Sequence, residues 1–304
     1  METSIPSVIQ GGKKYTEVVL SDQSINEIVD NLVNKVSECH FSKPQIAVCS
    51  PKNVVDKMKD YVIKKGRVIK DDDPPKIVNT IKELLDCHSE SCVLKRKDFI
   101  EFAKINNFLD ILNKNFKPEG PATNFGLLSN FNIDDVLDQF EQKFASRKFL
   151  HIPFQMRDFE KVGTQLATVD LAKKFREGYK TFGVVLNTDW SSGRGIHWYC
   201  ITGGHKGNYI ELVYFNSSGK PPLPETQAWL QKTKHHLEKE LRLETHIYYS
   251  TGEMYQSDDH SCGVYCLAFI YLYLEGVPFQ WFKRDKFNDS IMHKLRKNLF
   301  RWEI

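Results

Sequence analysis

The chain has 304 residues, of which 41% are hydrophobic and 27% charged, and its formal net charge is +3 at pH 7. This balance is typical of a globular protein with one large or two modest domains, and the small net charge does not predict a nucleic-acid partner. No run approaches the roughly 18–20 apolar residues of a membrane helix, and we expect no secretory signal from the N-terminal pattern.

The N-terminal third of the chain is predicted to be helical. Residues 24–38 carry apolar side chains on one helical face, with Ser24 as an N-cap. Residues 71–86 begin with acids and prolines, both of which are favoured at a helix start. A further apolar stripe at helical spacing predicts a third helix over residues 95–116.

A domain boundary is predicted at residues 117–124, a short segment rich in Pro and Gly. We therefore predict a helical N-terminal arm domain over 1–118 and a second domain over 119–304. The sequence does not indicate whether the arm positions a substrate, binds another protein or promotes self-association, and it leaves the oligomeric state open.

The second domain alternates helices with strands rich in β-branched and aromatic residues. The helices are expected at 132–144 and 224–244, and the strands at 180–187, 197–202, 208–216 and 245–250. An uncharged apolar run follows from Cys262 to Leu274 and has the length of a buried helix. This order predicts an α+β fold, with a central mixed sheet flanked by helices.

Seven cysteines are distributed along the chain: Cys39, Cys49, Cys87, Cys92, Cys200, Cys262 and Cys266. An odd count in a chain with no visible secretory signal favours reduced thiols. His88 lies beside Cys87, but no second Cys/His pair has the spacing that would complete a four-ligand zinc site. We therefore expect free thiols and no metal.

His197 and Asn216 are predicted to meet at one edge of the sheet. Glycines between the two central strands favour a hairpin centred near residue 205, which places His197 opposite Val213 and Asn216 at the same rim. An imidazole serves as a base only when its tautomer and orientation are fixed. We expect the Asn216 carbonyl to accept Nδ1–H, so that Nε2 faces a nucleophile.

The stretch "QSDDHSCG" (256–263) supplies the nucleophile and a hydrogen-bond donor. A thiolate is a strong nucleophile when an imidazolium lies beside it, and the N-terminal end of a helix at Cys262 favours it further. Attack on an amide creates an oxyanion that needs donors. The backbone N–H of Cys262 and the side-chain amide of Gln256 can supply them. Asp258 and Asp259 are predicted to be solvated loop residues, and Cys266 a core residue.

The order His197-Trp198, Asn216, then Gln256 six residues before Cys262-Gly263 resembles the Ulp1-like and adenovirus-type clan of cysteine proteases. A closer resemblance is to the polyprotein-processing proteases of African swine fever virus and other large DNA viruses. It rests on "SESCV" (89–93), "GLLSNFNID" (126–134), "PFQMRDFE" (153–160), "FGVVLNTDWSSGRGIHW" (182–198) and "YFNSSG" (214–219).

This resemblance implies a Ulp1-like, papain-related protease core that cleaves viral structural polyproteins after Gly-Gly during core maturation. Carried over by motif, Cys262 is the nucleophile, His197 the base, Asn216 the orienting residue and Gln256 the oxyanion donor. It also implies a late protein of the host cytoplasm, the virus factory and the virion core, with core-shell proteins as partners. No cofactor is implied, because the chemistry needs only thiol, imidazole and water.

A preference for Gly-Gly is explained by a narrow tunnel roofed by aromatic side chains, which admits only residues without a Cβ. Trp198 is the first candidate for the roof and Trp190 the second, although core packing explains either residue equally well. The chain also contains Gly11-Gly12, which gives self-trimming after Gly12 as a further hypothesis, beside a simple turn.

Two other functions remain open on sequence grounds. The same triad serves an isopeptidase that removes SUMO or another ubiquitin-like modifier from a Gly-Gly C-terminus. A non-catalytic scaffold of the same fold is the third interpretation. It is disfavoured because His197, Asn216, Gln256 and Cys262 are all retained.

Overall fold

The computed structural model describes residues 20–34, 37–43, 47–97, 99–105, 107–121, 123 and 125–301. Its α-helices are α1 (Asp22–Asn34), α2 (Lys52–Lys64), α3 (Pro74–Leu84), α4 (Glu90–Lys95), α5 (Ile100–Ile105), α6 (Phe108–Asn115), α7 (Asn130–Lys143), α8 (Phe159–Val162), α9 (Gln165–Thr168), α10 (Leu171–Arg176), α11 (Pro224–Leu241), α12 (Cys262–Glu275) and α13 (Asp289–Leu299). Its strands are β1 (Phe149–His151), β2 (Thr181–Asn187), β3 (Trp198–Lys206), β4 (Tyr209–Phe215) and β5 (Glu244–Tyr249).

The five strands form one mixed sheet in the order β1-β2-β3-β4-β5. The two outer pairs are parallel and the two inner pairs antiparallel. Helices cover both faces, with α7 and α12 on one side and α11 on the other. Because side chains alternate along a strand, Val185 and Val213 join the first core while Val184 and Leu212 join the second.

Helix α12 is the central element of the first core. Every residue from Cys262 to Leu274 is buried, as expected for a helix that is apolar on all sides. Gly276 follows it with φ +94°, a left-handed conformation that ends the helix without the steric cost of a Cβ. The first residue of this rigid, enclosed helix is Cys262, so the thiol is fixed by the packing of the whole element.

The N-terminal region has its own core, formed by residues between Cys39 and Phe116. Helix α1 instead packs against α12 and α13, and Asn298 donates two hydrogen bonds to the carbonyls of Leu32 and Val33 at the end of α1. Helix α1 therefore belongs to the C-terminal core, although it precedes the predicted boundary. The domain boundary at 117–124 stays a prediction.

Three local sequence predictions are wrong. Helix α1 begins at Asp22, so Ser24 lies within it, and Ser21 accepts a hydrogen bond from the Ser24 N–H at the helix start. The third predicted helix, 95–116, is instead α5 and α6: Arg96 is extended and ends α4 before it, and Asn107 adopts a left-handed conformation (φ 56°) between α5 and α6. The hairpin turns at Gly207 rather than near residue 205, and Lys206 pairs with Tyr209. This tight turn shifts the register, so that Thr202, not His197, pairs with Val213.

The expectation of reduced thiols is wrong for the N-terminal region. Cys39 pairs with Cys49 and Cys87 with Cys92 in disulfides whose Cα atoms lie 5.0 and 5.7 Å apart. A count of cysteines cannot show which of them the fold brings within bonding distance. Cys200, Cys262 and Cys266 are free and buried. Gly11 and Gly12 lie outside the described residues, and no described helix has the length and apolarity needed to cross a membrane.

Candidate active site

His197 and Asn216 meet at the rim of the sheet, as predicted. His197 directly precedes β3 and Asn216 directly follows β4, and the His197 Nε2 to Asn216 Oδ1 distance is 2.8 Å. Asn216 is buried and Oδ1 also accepts from the backbone N–H and hydroxyl of Ser218, while Nδ2 donates to the Tyr214 hydroxyl. The asparagine is therefore held from both ends of its amide and can fix the imidazole.

The ring nitrogen that contacts Asn216 differs from the prediction. Nε2 makes this hydrogen bond, which leaves Nδ1 to exchange a proton with a nucleophile. The alternation of a strand places a side chain on a rim, but it does not determine which edge of an imidazole ring faces its partner.

Cys262 is the first residue of α12 and is only 4% exposed. A Cβ at Gly263 would lie 3.1–3.3 Å from side-chain atoms of Leu128, which is tighter than ordinary contact. Leu128 in turn accepts a hydrogen bond from the Trp198 indole at 3.0 Å. The glycine thus allows the loop before α7 to close against the nucleophile and against β3.

Burial raises the pKa of the Cys262 thiol to about 11, although the backbone N–H groups of Trp198, Gly263 and Cys262 itself lower it. Burial also lowers the pKa of His197 below its ordinary value, and the hydrogen bond to Asn216 opposes this only in part. Within the described part of the chain, Cys262 makes no hydrogen bond to His197. Near pH 7 both shifts favour a neutral thiol and a neutral imidazole in the free site, because desolvation outweighs the effect of the helix end.

Gln256 is buried in the loop before α12, where its Oε1 accepts from the Ser217 hydroxyl at 2.7 Å. Its Nε2 donates to the backbone carbonyl and the carboxylate of Asp258, at 2.9 and 3.1 Å. An amide carries two N–H donors, so one can remain on Asp258 while the other turns to a substrate. The prediction of Gln256 as oxyanion donor stays a prediction.

Asp258 is a residue that the sequence reasoning misjudged. Its side chain is 15% exposed, and it accepts hydrogen bonds from Gln256, from the backbone of His260, from both donors of Ser261 and from His293. Burial alone would raise the pKa of Asp258, but these bonds outweigh it and hold the pKa well below its ordinary value. A sequence pattern gives no sign that one of two adjacent aspartates is enclosed.

Comparison with known proteins gives a consistent picture, although no family model matches the chain. The chain is 36% identical over 242 residues to a cysteine protease of African swine fever virus, covering 72% of this chain and 85% of that protein. The crystal structure of the African swine fever virus protease matches with a TM-score of 0.72 and 30% identity, covering 88% of this chain and 98% of that chain.

The chain belongs to this family of viral cysteine proteases.

A more distant relative is a thiol protease of Acanthamoeba polyphaga mimivirus, 26% identical over 194 residues, with 63% of this chain and 62% of that protein covered. The predicted resemblance, the α+β fold and the cysteine protease activity are confirmed. The roles of individual residues in the viral protease are inferred from the geometry above.

The two tryptophans occupy different environments in the protease. Trp198 is 9% exposed, belongs to the core and meets Phe154 edge to face at 6.3 Å. Trp190 lies on the loop after β2, is 44% exposed and stacks under the Arg157 guanidinium at 4.6 Å. Their substrate-binding roles stay predictions. Trp198 is rigidly placed beside the base, whereas Trp190 lies on the surface.

Two groups of side chains among the described residues have metal-ligand atoms close together. Asp258, His260 and His293 form one, and Glu38, Cys49 and Glu90 the other. In the first group the carboxylate is already filled by protein donors. In the second, Cys49 is in a disulfide and the Glu90 carboxylate binds the backbone N–H groups of Cys49 and Ser50. In both sets a carboxylate is already engaged by donors of the protein itself.

A cavity of about 1050 Å³ lies between the N-terminal region and α13, away from the thiol. Its lining includes Lys117, whose pKa burial lowers to about 7, opposed by the charge of Glu38. Lys117 also donates to the carbonyl of Ser37. This cavity contains none of the four residues predicted for catalysis, so it is separate from the candidate active site.

Proposed function

We propose that this protease is an endopeptidase that cleaves viral structural polyproteins after Gly-Gly during maturation of the virus core. The observation that carries the proposal is the 2.8 Å contact of His197 Nε2 with the enclosed Asn216, where the next residue, Trp198, directs its backbone N–H to the Cys262 thiol. This arrangement provides an oriented base and an adjacent thiol, which are the two requirements of thiol-dependent amide cleavage.

In the proposed reaction, the sulfur of Cys262 attacks the carbonyl carbon of the scissile bond. The thiol proton passes to Nδ1 of His197, while Asn216 holds the opposite side of the ring. The negative charge that develops on the carbonyl oxygen is stabilised by the backbone N–H of Cys262 and an amide hydrogen of Gln256. His197 then protonates the departing amine, which leaves a thioester on Cys262, and water releases the acid with His197 again acting as base.

The protonation states of the free site favour proton transfer during the attack rather than before it. A thiol with a pKa of about 11 beside an imidazole of lowered pKa remains neutral until substrate arrives. A substrate that excludes water and brings the base against the thiol makes the transfer part of the chemical step. Such a site spares the thiol from reacting with other electrophiles between turnovers.

A Gly-Gly preference is supported by how crowded the region beside Cys262 is. Leu128 contacts Gly263 and holds the Trp198 indole, which fixes this aromatic ring next to His197. A substrate backbone that threads past these groups has little room for side chains. A polyprotein substrate of this kind would place the enzyme in the virus factory of the host cytoplasm and in the virion core, with core-shell proteins as partners.

An isopeptidase acting on a SUMO-like modifier is the second candidate, because curated relatives from African swine fever virus are named SUMO-1 cysteine proteases. Both activities use the same Gly-Gly acyl group and differ in the leaving amine. The non-catalytic scaffold has no support, since the relatives are proteases.

The experiment that separates the candidates compares two substrates at equal concentration. One is a panel of peptides with Gly-Gly-Xaa junctions and matched Ala-Gly-Xaa controls; the other is a folded SUMO conjugate. We expect cleavage of the Gly-Gly peptides, loss of activity in Cys262→Ala, and little release of SUMO. Cleavage of the conjugate alone would replace the endopeptidase with an isopeptidase.

A further inference from the structure

We infer that one charged face of helix α13 is the support that positions the nucleophile loop, residues 256–261, for catalysis. Asp289, His293 and Arg296 are spaced by four and three residues, which places them on the same side of the helix. None of the three is among the residues predicted for catalysis, and each contacts a different position of the loop. The inference rests on the proposed role of Cys262 as nucleophile.

The contacts follow the loop in sequence order. Asp289 accepts a hydrogen bond from the backbone N–H of Ser257 at 2.9 Å. One turn later, His293 Nε2 lies 2.9 Å from Asp258 Oδ2. Another turn on, Arg296 donates to the carbonyl of His260 at 2.6 Å. Three successive turns of one helix therefore hold three of the residues that lead into the nucleophile.

Asp258 connects the two ends of the loop through hydrogen bonds. Its carboxylate accepts from both the backbone N–H and the hydroxyl of Ser261, the residue directly before the nucleophile. It also accepts from the Gln256 amide at the other end. Charge-assisted hydrogen bonds are shorter and stronger than neutral ones. The loop between Gln256 and Cys262 is thus folded around the Asp258 carboxylate, which His293 also binds.

Arg296 extends the same support to the opposite wall of the site. Its side chain is 2% exposed and its other terminal nitrogen donates to the carbonyl of Gly126, in the segment before α7. That segment contains Leu128, which contacts Gly263 and the Trp198 indole. Helix α13 therefore joins the nucleophile loop to the segment that closes over it. Its residues act by positioning, since they contact neither the thiol nor the base.

The test uses the full-length protease with His293→Ala, His293→Gln and Lys294→Ala. Glutamine keeps an N–H donor near the position of Nε2, and Lys294 is exposed on the same helix, which makes it the matched control. Two readouts are taken: kcat and KM on a Gly-Gly-Xaa peptide, and the alkylation of Cys262 by iodoacetamide at pH 9, which needs no substrate. Mass spectrometry identifies the labelled cysteine.

For His293→Ala we expect kcat to fall about tenfold with KM unchanged, since a misplacement of about 1 Å can cost up to about a hundredfold. Cys262 should be alkylated at least about threefold faster, because a loosened loop exposes a thiol that is now 4% exposed. His293→Gln should recover most of kcat, and Lys294→Ala should match the wild type. Opposite changes in catalysis and labelling are the signature of lost positioning.

Unchanged kcat and unchanged labelling in His293→Ala would overturn the inference. So would a loss of kcat accompanied by labelling of the buried Cys200 and Cys266, since that indicates general unfolding. Peptide cleavage that persists in Cys262→Ala would instead refute the proposed function. If the wild type fails to cleave the peptide, the proposed function fails and the labelling alone decides the role of α13.

Discussion

The reactivity of Cys262 in the free enzyme should rise steeply with pH. With a pKa of about 11, the thiol is four pH units from its midpoint at pH 7, so about one molecule in 10,000 carries a thiolate. Because the thiolate is the nucleophile, the rate of alkylation should increase about tenfold per pH unit, or about a thousandfold between pH 7 and pH 10. A preformed ion pair with His197 would give a constant rate over this range.

The assay is the second-order rate of iodoacetamide labelling between pH 6 and pH 10, with each adduct located by mass spectrometry. Cys200 and Cys266 are both 0% exposed and should stay unlabelled while the protein is folded. Cys262→Ser gives the background, and circular dichroism at each pH shows that the fold is retained. A labelling rate that is already constant from pH 6 upward would refute the neutral thiol and the proton transfer during attack that is proposed from it.

Three further perturbations test separate parts of the account. Asn216→Asp places a carboxylate against His197, which raises the imidazole pKa and should move the acid limb of the kcat/KM profile up by about one pH unit; an unmoved limb would show that another group sets it. Burial would lower the pKa of His151, but Asp134 and Asp138 raise it to about 9. The protonated imidazole therefore stabilises the fold, and this stabilisation is complete below about pH 6.5 and is lost as pH rises through 9. The unfolding free energies of wild type and His151→Gln, measured in urea, should therefore differ by about 3 kcal/mol less at pH 10 than at pH 6, and a constant difference would contradict the charge. Gly263→Ala forces Leu128 to shift and should cost about 1 kcal/mol in unfolding free energy together with most of the peptidase activity; retained activity would show that the close contact is dispensable.

The sequence predicted the main elements of the catalytic half because their patterns are strong. Strands β2 to β5 are rich in β-branched and aromatic residues, and the uncharged run after Cys262 has the length of a buried helix. His197 and Asn216 meet even though the predicted register is wrong, since both lie at strand ends on one rim. Two strand ends can lie at the same edge of the sheet even when the turn between the strands is displaced, whereas the exact residue pairs change.

What the sequence could not predict depends on contacts between distant segments. Asp258 is enclosed because His293, far along the chain, reaches its carboxylate. The thiol pKa follows from how deeply the helix start is buried, which periodicity does not measure. The disulfide of Cys39 with Cys49 likewise depends on where the fold places both residues.

The central claim is that Cys262 is the nucleophile that receives a Gly-Gly acyl group. The most direct measurement treats the enzyme with a peptide vinyl sulfone ending in Gly-Gly and locates the covalent adduct by mass spectrometry, in wild type and in His197→Ala. The account predicts a single adduct on Cys262 that is lost or strongly slowed without His197. An adduct on another residue, or labelling of Cys262 at the same rate without His197, would contradict it.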